Sequence, residues 1–348
     1  MSLDARHHAA VLGAGSWGTA LAMHLGTVGH AVTLWGRDDS LIREMAARRA
    51  NPTYLPDLLF PPSVRLTSIL SEAVAEVRYV IVAVPSHGLR DVVKAAAPAL
   101  PPDAILVSAA KGLETGSLQR MSEVITEETG GRHPVVVLSG PSFAAEVARR
   151  TPTALVAASS NAEAAAAAQA ELRGPFFRLY GSDDVVGVEI GGALKNTIAI
   201  AAGVVESLSL GHNALAALIT RGLAEITRLA CRMGGRRETL AGLSGLGDLV
   251  LTCTGSLSRN RHVGIELGRG RPIHAIVAGM RMVAEGVRTT TAALALAERH
   301  GVELPIAAQM ADVLAGRKSP RDAVGDLMLR PQRGEFDLRI ETTHPLTK

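Results

Sequence analysis

The sequence predicts an α/β protein with an N-terminal Rossmann-like domain, built on a doubly wound, mostly parallel sheet, and an all-helical C-terminal domain. Up to about residue 183, short apolar runs alternate with segments long enough for helices, which indicates a parallel sheet covered on both faces. Beyond that point the strand pattern disappears. A length of 348 residues suits two domains. We therefore expect a dinucleotide-binding domain at 1–185 and a helical substrate domain at 186–348.

Six apolar runs are the strand candidates, and helix-length stretches separate them. In chain order they are residues 8–15, 30–37, 77–86, 104–112, 134–142 and 153–159. In the second half, residues 183–205 form one long apolar helix, and residues 212–233 place their apolar side chains on one helical face. The alanine-rich stretch 161–172 indicates an ordinary crossover helix.

The first strand candidate ends in a G-x-G-x-x-G motif, formed by Gly13, Gly15 and Gly18. The first glycine suits a tight turn, the second lets a pyrophosphate approach the backbone, and the third allows close packing of the following helix. Backbone amides around Ser16 and Trp17, at the positive end of the helix dipole, would hold the phosphates. Because strand and helix stand in the required order, the motif favours dinucleotide binding over an incidental turn.

About twenty residues further on, the stretch "LWGRDD" occupies the place where an acidic residue would bind the ribose of NAD. Arg37 stands there instead and could stack on adenine or pair with a 2′-phosphate. This pattern favours acceptance of NADP without excluding NAD. The alternative is a solvent-exposed arginine in a turn.

Further polar side chains follow the ends of later strands, where doubly wound sheets bind ligands. Pro85 and Ser86 are expected to line the cofactor, and His87 fits a loop histidine better than a catalytic acid or base. Lys111 follows the fourth strand candidate. After the fifth, a turn presents Gly140, Ser142 and Ala144, whose amides could face an anion or the nicotinamide carboxamide.

A glycine-rich stretch in the helical half contributes Asp248 and then Ser258, Arg259 and Asn260 at a predicted helix start. An arginine fork beside free helix amides suits a phosphate group. Simpler interpretations remain open for three of these residues: Lys111 as a surface lysine, Asp248 as a turn residue and Arg259 as a solvated cation.

Lys195 is a lone cation on the apolar helix 183–205, in a chain where 31 of the 36 basic residues are arginine. Lysine, unlike arginine, can be tuned by burial to exchange a proton. Gly191 and Gly192 precede it by one turn, so we expect its side chain to lie over bare backbone with space for a ligand. A snorkelling lysine at an element edge is the alternative.

Composition narrows the function classes. The net charge of +3 comes with scattered arginines and 3% aromatic residues, which favours small anionic ligands over nucleic acid. The apolar segments fall short of a membrane span, and no signal peptide is evident. Two cysteines without metal spacing favour the cytoplasm, and no metal-ligand cluster appears. A homodimer is left open.

The ordered blocks "GAGSWGTALA", "NPTYLP", "VAVPSH", "AAKGLE", "LSGPSFAAEVA", "VGVEIGGALKN", "GLGDLVLTCTGSLSRNRHVG" and "VAEGVRTT" resemble those of bacterial-type NAD(P)-dependent glycerol-3-phosphate dehydrogenases. The resemblance runs from about Ala9 to Glu335. The "GGALKN" and "GLGDLVLTCTG…SRNR" blocks are far more specific than the glycine loop. The tail after Glu335 has no counterpart in this pattern.

The resemblance implies reversible hydride transfer between sn-glycerol 3-phosphate and dihydroxyacetone phosphate, with NAD(H) or NADP(H), at the entry to phospholipid synthesis. It implies that Lys195 transfers the proton, with Lys111 and Asp248 beside it. Its substrate contacts fall on Lys111, Gly140, Ser142, Lys195, Asp248, Ser258, Arg259 and Asn260. Its cofactor contacts fall on Ser16, Trp17, Arg37, Lys111, Ala144, Arg259, Val283 and Glu285, beside the glycines of the loop.

Two other functions stay in view. A lysine-dependent β-hydroxyacid or ketopantoate-type dehydrogenase would share the fold, although the "SRNR" block speaks against it. A non-catalytic redox sensor would bind the cofactor without turnover, and the presence of every expected catalytic residue speaks against that.

Overall fold

A computed structural model describes residues 6–280, 284–332, 334 and 335. The first half of the chain forms an eight-stranded sheet with helices on both faces, and the second half is helical, as the sequence predicts. The strands are β1 Arg6–Leu12, β2 His30–Trp35, β3 Ala50–Asn51, β4 Leu55–Leu59, β5 Val64–Thr67, β6 Tyr79–Val82, β7 Ile105–Ser108, β8 Val135–Ser139, β9 Thr153–Ala158 and β10 Phe177–Ser182.

Helices lie between most of the strands, and after β10 the described elements are all helical. They are α1 Ser16–Thr27, α2 Asp39–Arg48, α3 Leu70–Val74, α4 Ser86–Ala96, α5 Met121–Glu128, α6 Ala144–Ala148, α7 Ala162–Leu172, α8 Val185–Ser207, α9 Gly211–Arg232, α10 Arg237–Ala241, α11 Asp248–Thr254, α12 Arg259–Gly268, α13 Ile273–Ala278, α14 Glu285–Arg299, α15 Pro305–Leu314 and α16 Pro320–Met328, with a 3₁₀ turn at Ala97–Ala99 and a π-helical turn at Leu243–Gly247.

The sheet has the strand order β10-β9-β8-β7-β6-β1-β2-β5. Neighbouring strands are parallel except β8 and β9, which are antiparallel. The chain moves outward from β1 through β2 to β5 and then returns to β6 on the other side of β1. The carboxyl ends of β1 and β6 therefore flank a topological switch point, where open α/β sheets bind their ligands.

The structure adds strands that the apolar pattern did not reveal. β5 and β10 complete the two edges of the sheet, and β3 and β4 form a small antiparallel pair. β10 alternates buried and exposed residues, as in Phe177 and Arg178, because it is an edge strand with one solvated side. The search for continuous apolar runs therefore passed over it.

Helix α8 is the central element of the helical half. Of its 23 residues, 19 are buried, from Gly187 to Val205, and α9, α11, α12 and α14 pack around it. By length and composition, this helix in the described part of the chain could cross a membrane, although the sequence suggested that all apolar segments were too short. In its most apolar window 89% of the residues are buried inside the protein, as in the core helix of a globular domain.

Candidate active site

The carboxyl ends of the central parallel strands place four loops along one edge of the sheet. The glycine loop follows β1, the segment 83–86 follows β6, the loop bearing Lys111 follows β7, and the turn at Gly140 follows β8. Helix α8 lies against this edge, since the position of a Cβ on Gly192 would be 3.7 Å from Cγ of Lys111. The candidate site is therefore built from both halves of the chain.

The three glycines of the β1–α1 loop have the geometries that their spacing predicts. Gly13 has a φ of +119°, and a Cβ there would lie 2.9 Å from the Ala83 carbonyl oxygen. A Cβ on Gly18 would lie 1.8 Å from the Gly13 carbonyl oxygen, which requires glycine for close helix packing. At Gly15, in contrast, a Cβ would meet nothing within 4 Å, so this face is open.

The start of α1 suits an anion. Gly15 is the N-cap residue and supplies no side-chain hydrogen bond, so the first amides of the helix have no side-chain acceptor there. The Trp17 indole donates to the Ala109 carbonyl oxygen at 3.2 Å and ties this helix start to the end of β7. These features fit a dinucleotide whose pyrophosphate lies on the amides around Ser16 and Trp17.

The adenosine end of this region contains Arg37 and two acidic neighbours. Asp38 caps α2, accepting from the amides of Ser40 and Leu41 at 3.0 and 3.1 Å. Asp39 accepts from the Ser68 hydroxyl at 2.8 Å and pairs with Arg43. Both carboxylates are therefore engaged within the protein, whereas Arg37 is exposed.

Two lysines from different halves of the chain meet on one buried carboxylate. Lys195 of α8 donates to Oδ1 of Asp248 at 2.5 Å, and Lys111 donates to Oδ2 of the same residue at 2.8 Å. The Asp248 side chain is 1% exposed. Since Asp248 begins α11, the residue one turn later, Thr252, also reaches Lys195, and its hydroxyl accepts from Nζ at 2.7 Å.

This arrangement fixes the direction of the Lys195 side chain. Thr252 directs its own proton to the Asp248 carbonyl oxygen at 2.6 Å, so its lone pair is left for Lys195. An ammonium group has three N–H donors. Two of them are held by Asp248 and Thr252, and the third can be offered to a substrate oxygen.

The surroundings of Lys195 lower its pKa toward neutral pH, which is the direction that the sequence predicts for a buried lysine. Removal from water lowers the pKa of Lys195 to about 8. The Asp248 carboxylate opposes this shift, and the positive charge of Lys111 adds to it. Lys195 can therefore exchange a proton at ordinary pH.

The glycines before Lys195 have a different purpose from the one that the sequence suggests. A Cβ on Gly191 would lie 2.7 Å from the Ser244 carbonyl oxygen, and one on Gly192 would lie 2.7 Å from Oγ of Ser139. The expectation of bare backbone with space for a ligand is therefore wrong. The two glycines admit the π-helical turn on one side and the end of β8 on the other, and so allow α8 to approach the sheet.

Lys111 joins this carboxylate to the turn after β8. Its ammonium also donates to the Gly140 carbonyl oxygen at 2.8 Å and contacts Oγ of Ser142 at 3.4 Å. Gly140 has a φ of +133°, and a Cβ there would lie 2.9 Å from the Leu155 side chain, so the turn requires glycine. Lys111 is thus a bridging cation in the site and not a surface lysine.

Ser258, Arg259 and Asn260 lie at the start of α12, as predicted. Ser258 is the N-cap residue and accepts from the amide of Arg261 at 3.2 Å. Burial lowers the pKa of Arg259, and the negative charge of Glu285 opposes that shift. Asn260 donates to Oδ1 of Asn196 at 2.9 Å and accepts from the Gly286 amide at 3.0 Å.

The start of α14 contacts the start of α4 across the crevice. Glu285 accepts from the Ser86 amide at 3.1 Å and from its hydroxyl at 2.7 Å. His87 lies in the first turn of α4, where partial removal from water and the charge of Arg288 lower its pKa. Ala144 begins α6, directly after the Gly140 turn. Val283 lies outside the described residues.

Sequence reasoning missed Thr252 and Asn196. Thr252 lies four residues after Asp248, which puts both on one helical face. Asn196 directly follows Lys195 and forms the bond to Asn260. For Thr252 the available signal was its helical spacing from Asp248, whereas Asn196 is adjacent to Lys195, and adjacent residues of a helix do not share a face. Among the described residues, no group of three or more histidine, cysteine, aspartate or glutamate side chains could hold a metal ion.

A glycine loop at the switch point of the sheet, together with a buried lysine whose pKa is lowered to about 8, fits the class of NAD(P)-dependent dehydrogenases. Family models agree. Residues 8–165 match the N-terminal part, and residues 184–325 the C-terminal part, of NAD-dependent glycerol-3-phosphate dehydrogenase. The chain belongs to this family.

Individual relatives support the assignment along almost the whole chain. Glycerol-3-phosphate dehydrogenase [NAD(P)+] of Koribacter versatilis is 53% identical over 94% of this chain and 98% of its own length. The protein of the same name from Syntrophotalea carbinolica is 53% identical over 94% and 99%. A crystal structure of glycerol-3-phosphate dehydrogenase from Coxiella burnetii is 41% identical, covers 93% of this chain and 99% of that one, and superposes with a TM-score of 0.90.

Proposed function

We propose that this protein interconverts sn-glycerol 3-phosphate and dihydroxyacetone phosphate with NAD(H) or NADP(H), and so supplies glycerol 3-phosphate for glycerophospholipid biosynthesis. The observation that carries the proposal is the Lys195–Asp248–Lys111 arrangement, which places a proton-exchanging amine beside the cofactor loops. Family membership names the substrate pair.

A nicotinamide cofactor held at the glycine loop after β1 would supply or accept the hydride at the substrate C2. During reduction, Lys195 donates a proton to the C2 oxygen, which becomes the hydroxyl of glycerol 3-phosphate. During oxidation, the neutral amine takes that proton back. Asp248 and Thr252 hold the ammonium in place, while Lys111 adds positive charge beside the same oxygen.

We assign the substrate phosphate to the start of α12. Arg259 supplies a guanidinium fork, and the helix supplies amides at its positive end. Asn260 has one amide hydrogen directed to Asn196 and retains the second for the phosphate. A ketopantoate-type substrate has a carboxylate in place of the phosphate and would use this end of the site less well.

The experiment follows absorbance at the nicotinamide band with purified protein. Dihydroxyacetone phosphate and ketopantoate are compared, each with NADH and with NADPH. The proposal expects turnover with dihydroxyacetone phosphate, and a fall of about 10²-fold or more in kcat for Lys195→Ala. Lys94→Ala, an exposed lysine on α4, is the matched control and should retain activity. Turnover of ketopantoate alone, or near-normal activity of Lys195→Ala, would overturn the assignment.

For the cofactor, we propose that Arg37 favours NADPH. The carboxylates of Asp38 and Asp39 already accept hydrogen bonds within the protein. The exposed guanidinium of Arg37 is therefore the group at the end of β2 that can bind a 2′-phosphate. Arg37→Ala should raise the KM for NADPH more than the KM for NADH. An equal rise in the two KM values would contradict the proposed preference for NADPH.

We further propose a cytoplasmic homodimer. The two cysteines, Cys231 and Cys253, are free thiols, which suits a reducing compartment. Leu246 and Val250 lie about one turn apart, and each is more than a third exposed, which suits an apolar contact with a second copy. Light scattering coupled to gel filtration tests the dimer, and a monomer at working concentration would contradict it.

A further inference from the structure

A buried carboxylate on α8 links the two halves of the chain away from the reacting groups. Glu189 accepts from the Ser122 amide at 2.8 Å, from the Ser122 hydroxyl at 2.6 Å and from Nη1 of Arg120 at 2.6 Å. Its side chain is 4% exposed. All three donors belong to the start of α5, so one carboxylate fastens the central helix to the sheet domain.

The donor side of this link continues directly into the loop that bears Lys111. Arg120 pairs with Leu113 in an isolated antiparallel bridge, and the Glu114 amide donates to the Gln119 carbonyl oxygen at 2.9 Å. The segment from Leu113 to Arg120 is therefore a closed turn. Lys111 lies two residues before this turn.

A second ion pair stiffens the same turn. Arg90 of α4 holds both oxygens of Glu114, with Nε to Oε1 and Nη2 to Oε2 each at 2.8 Å. A bidentate pair fixes orientation as well as distance. A displacement of Arg120 therefore also displaces Lys111, because the turn between them is held rigidly.

The acceptor side of the link leads to Lys195. Glu189 and Lys195 are six residues apart on the same helix, a rise of about 9 Å along a rigid element. The two lysines then meet on Asp248, at 2.8 and 2.5 Å. At such distances a displacement of about 1 Å is enough to cost a large part of the rate.

We propose that Glu189 is a positioning residue: through Arg120 and Ser122 it holds the Lys111 loop against α8 and so sets where Lys111 and Lys195 meet on Asp248. This inference rests on the proposed function, because it concerns the same proton transfer.

Loss of the hydrogen bonds to Glu189 should change the pKa of Lys195, which a general loss of stability would not do. Among the described residues, the titratable groups with the largest effects on the pKa of Lys195 are Lys111, from the loop after β7, and Asp248 and Cys253, both from α11. Burial and Lys111 lower the pKa of Lys195, and Asp248 and Cys253 oppose them. If the Lys111 loop moves away and water enters, both lowering causes weaken and the pKa of Lys195 rises.

The test compares Glu189→Gln with Glu225→Gln. Glu225 is also a buried carboxylate of the helical half, and it also receives the first amides of a helix, from Ile306 at 2.8 Å and Ala307 at 3.4 Å. It caps α15, and its described hydrogen bonds lead neither to Lys195 nor to the loop that bears Lys111. A comparable loss of stability in the two variants, measured as Tm at one pH, separates positioning from folding.

For Glu189→Gln we expect kcat for reduction of dihydroxyacetone phosphate to fall by between about tenfold and about 100-fold, with the KM of the substrate changed by less than about threefold. The midpoint of the pH profile of kcat/KM, which reports groups of the free enzyme, should move upward from about 8, the pKa of Lys195 in the wild type. Glu225→Gln should lose Tm and retain both the midpoint and kcat.

Ser122→Ala removes one of the three donors and serves as a mild second variant if Glu189→Gln does not fold. It should show the same upward movement of the midpoint with a smaller loss of kcat. A lower Tm with an unchanged midpoint and unchanged kcat, in either folded variant, would overturn the positioning role. The wild type in the same assay tests the proposed function separately, since its failure to reduce dihydroxyacetone phosphate would refute that function whatever the variants show.

Discussion

Replacing Asp248 by asparagine tests the electrostatic account of the site most severely. The carboxylate accepts from both lysines, one on each oxygen, and is the largest influence that keeps Lys195 protonated. Asparagine retains one acceptor oxygen and turns an NH₂ group toward the other lysine. Two ammonium groups are then left in a buried site without their common counter-charge.

The expected magnitude follows from the loss of one partner of a buried ion pair, which costs about 3 kcal/mol or more. That energy corresponds to about two pKa units, so the pKa of Lys195 should fall from about 8 to about 6. At pH 7 the protonated fraction then falls from about nine-tenths to about one-tenth, a loss of about tenfold in the proton donor. With the lost orientation of the ammonium, reduction at pH 7 should slow by about 10²-fold or more.

The assay is the initial rate of dihydroxyacetone phosphate reduction between pH 5 and 9, with circular dichroism to establish folding. The rate of Asp248→Asn should rise about tenfold when the pH is lowered from 7 to 5, because Lys195 is then protonated again. Asp183→Asn, an exposed carboxylate paired with Arg236, is the control and should resemble the wild type. A pH profile of Asp248→Asn that coincides with that of the wild type would refute the reasoning.

Three further predictions concern single groups. Thr252→Val keeps the shape of the side chain and removes the acceptor 2.7 Å from Lys195, so kcat should fall by about tenfold with little change in KM; steady-state kinetics with an unchanged kcat would contradict this. Arg259→Ala should raise the KM of dihydroxyacetone phosphate by at least about tenfold, because charge-assisted hydrogen bonds contribute about 1.5–3 kcal/mol. Inhibition by inorganic phosphate should weaken in parallel. Equal inhibition of the variant and the wild type would show that the substrate phosphate binds elsewhere. Burial raises the pKa of Glu225 from 4.5 to about 7. The protonated carboxyl therefore contributes up to about 3 kcal/mol to the free energy of unfolding. This contribution is complete below about pH 4.5 and is lost as the pH rises through about 7. Chemical denaturation of Glu225→Gln should show little of this pH dependence, and an unchanged slope between pH 5 and 8 would assign it to other groups.

The sequence allows the architecture and the loops at the carboxyl ends of the strands to be predicted, because both depend on local pattern. Apolar runs mark the interior strands, and the glycine spacing marks the β1–α1 loop with its open face at Gly15. Ser258 could be placed at a helix start because capping is a local property. The edge strands β5 and β10 were missed because one side of each is solvated.

Long-range relations could not be predicted in this way. Asp248 lies 53 residues from Lys195 and 137 from Lys111, and no periodicity indicates that one carboxylate serves both. The same limit explains the error at Gly191 and Gly192. Their lack of side chains was visible in the sequence, but whether a ligand or the Ser244 backbone fills the space depends on how α8 meets the rest of the fold.

Glu189 shows why a buried charge on an apolar helix needs the fold for its interpretation. In sequence it is one acidic residue beside the "GGALKN" block. In the structure it receives three hydrogen bonds from the start of α5, which ends the Lys111 loop. The same helix therefore carries the lysine to which we assign the proton transfer and the carboxylate that we propose positions it.

The central claim is that Lys195 exchanges a proton with the substrate oxygen, and the pH dependence of kcat/KM in the two directions tests it most directly. With its pKa lowered to about 8, Lys195 should support reduction when protonated and oxidation when neutral. The account predicts that reduction slows as pH rises through about 8, while oxidation of glycerol 3-phosphate accelerates over the same range. If both directions slow together above that pH, Lys195 acts as a fixed positive charge, and the proton-transfer role assigned here is contradicted.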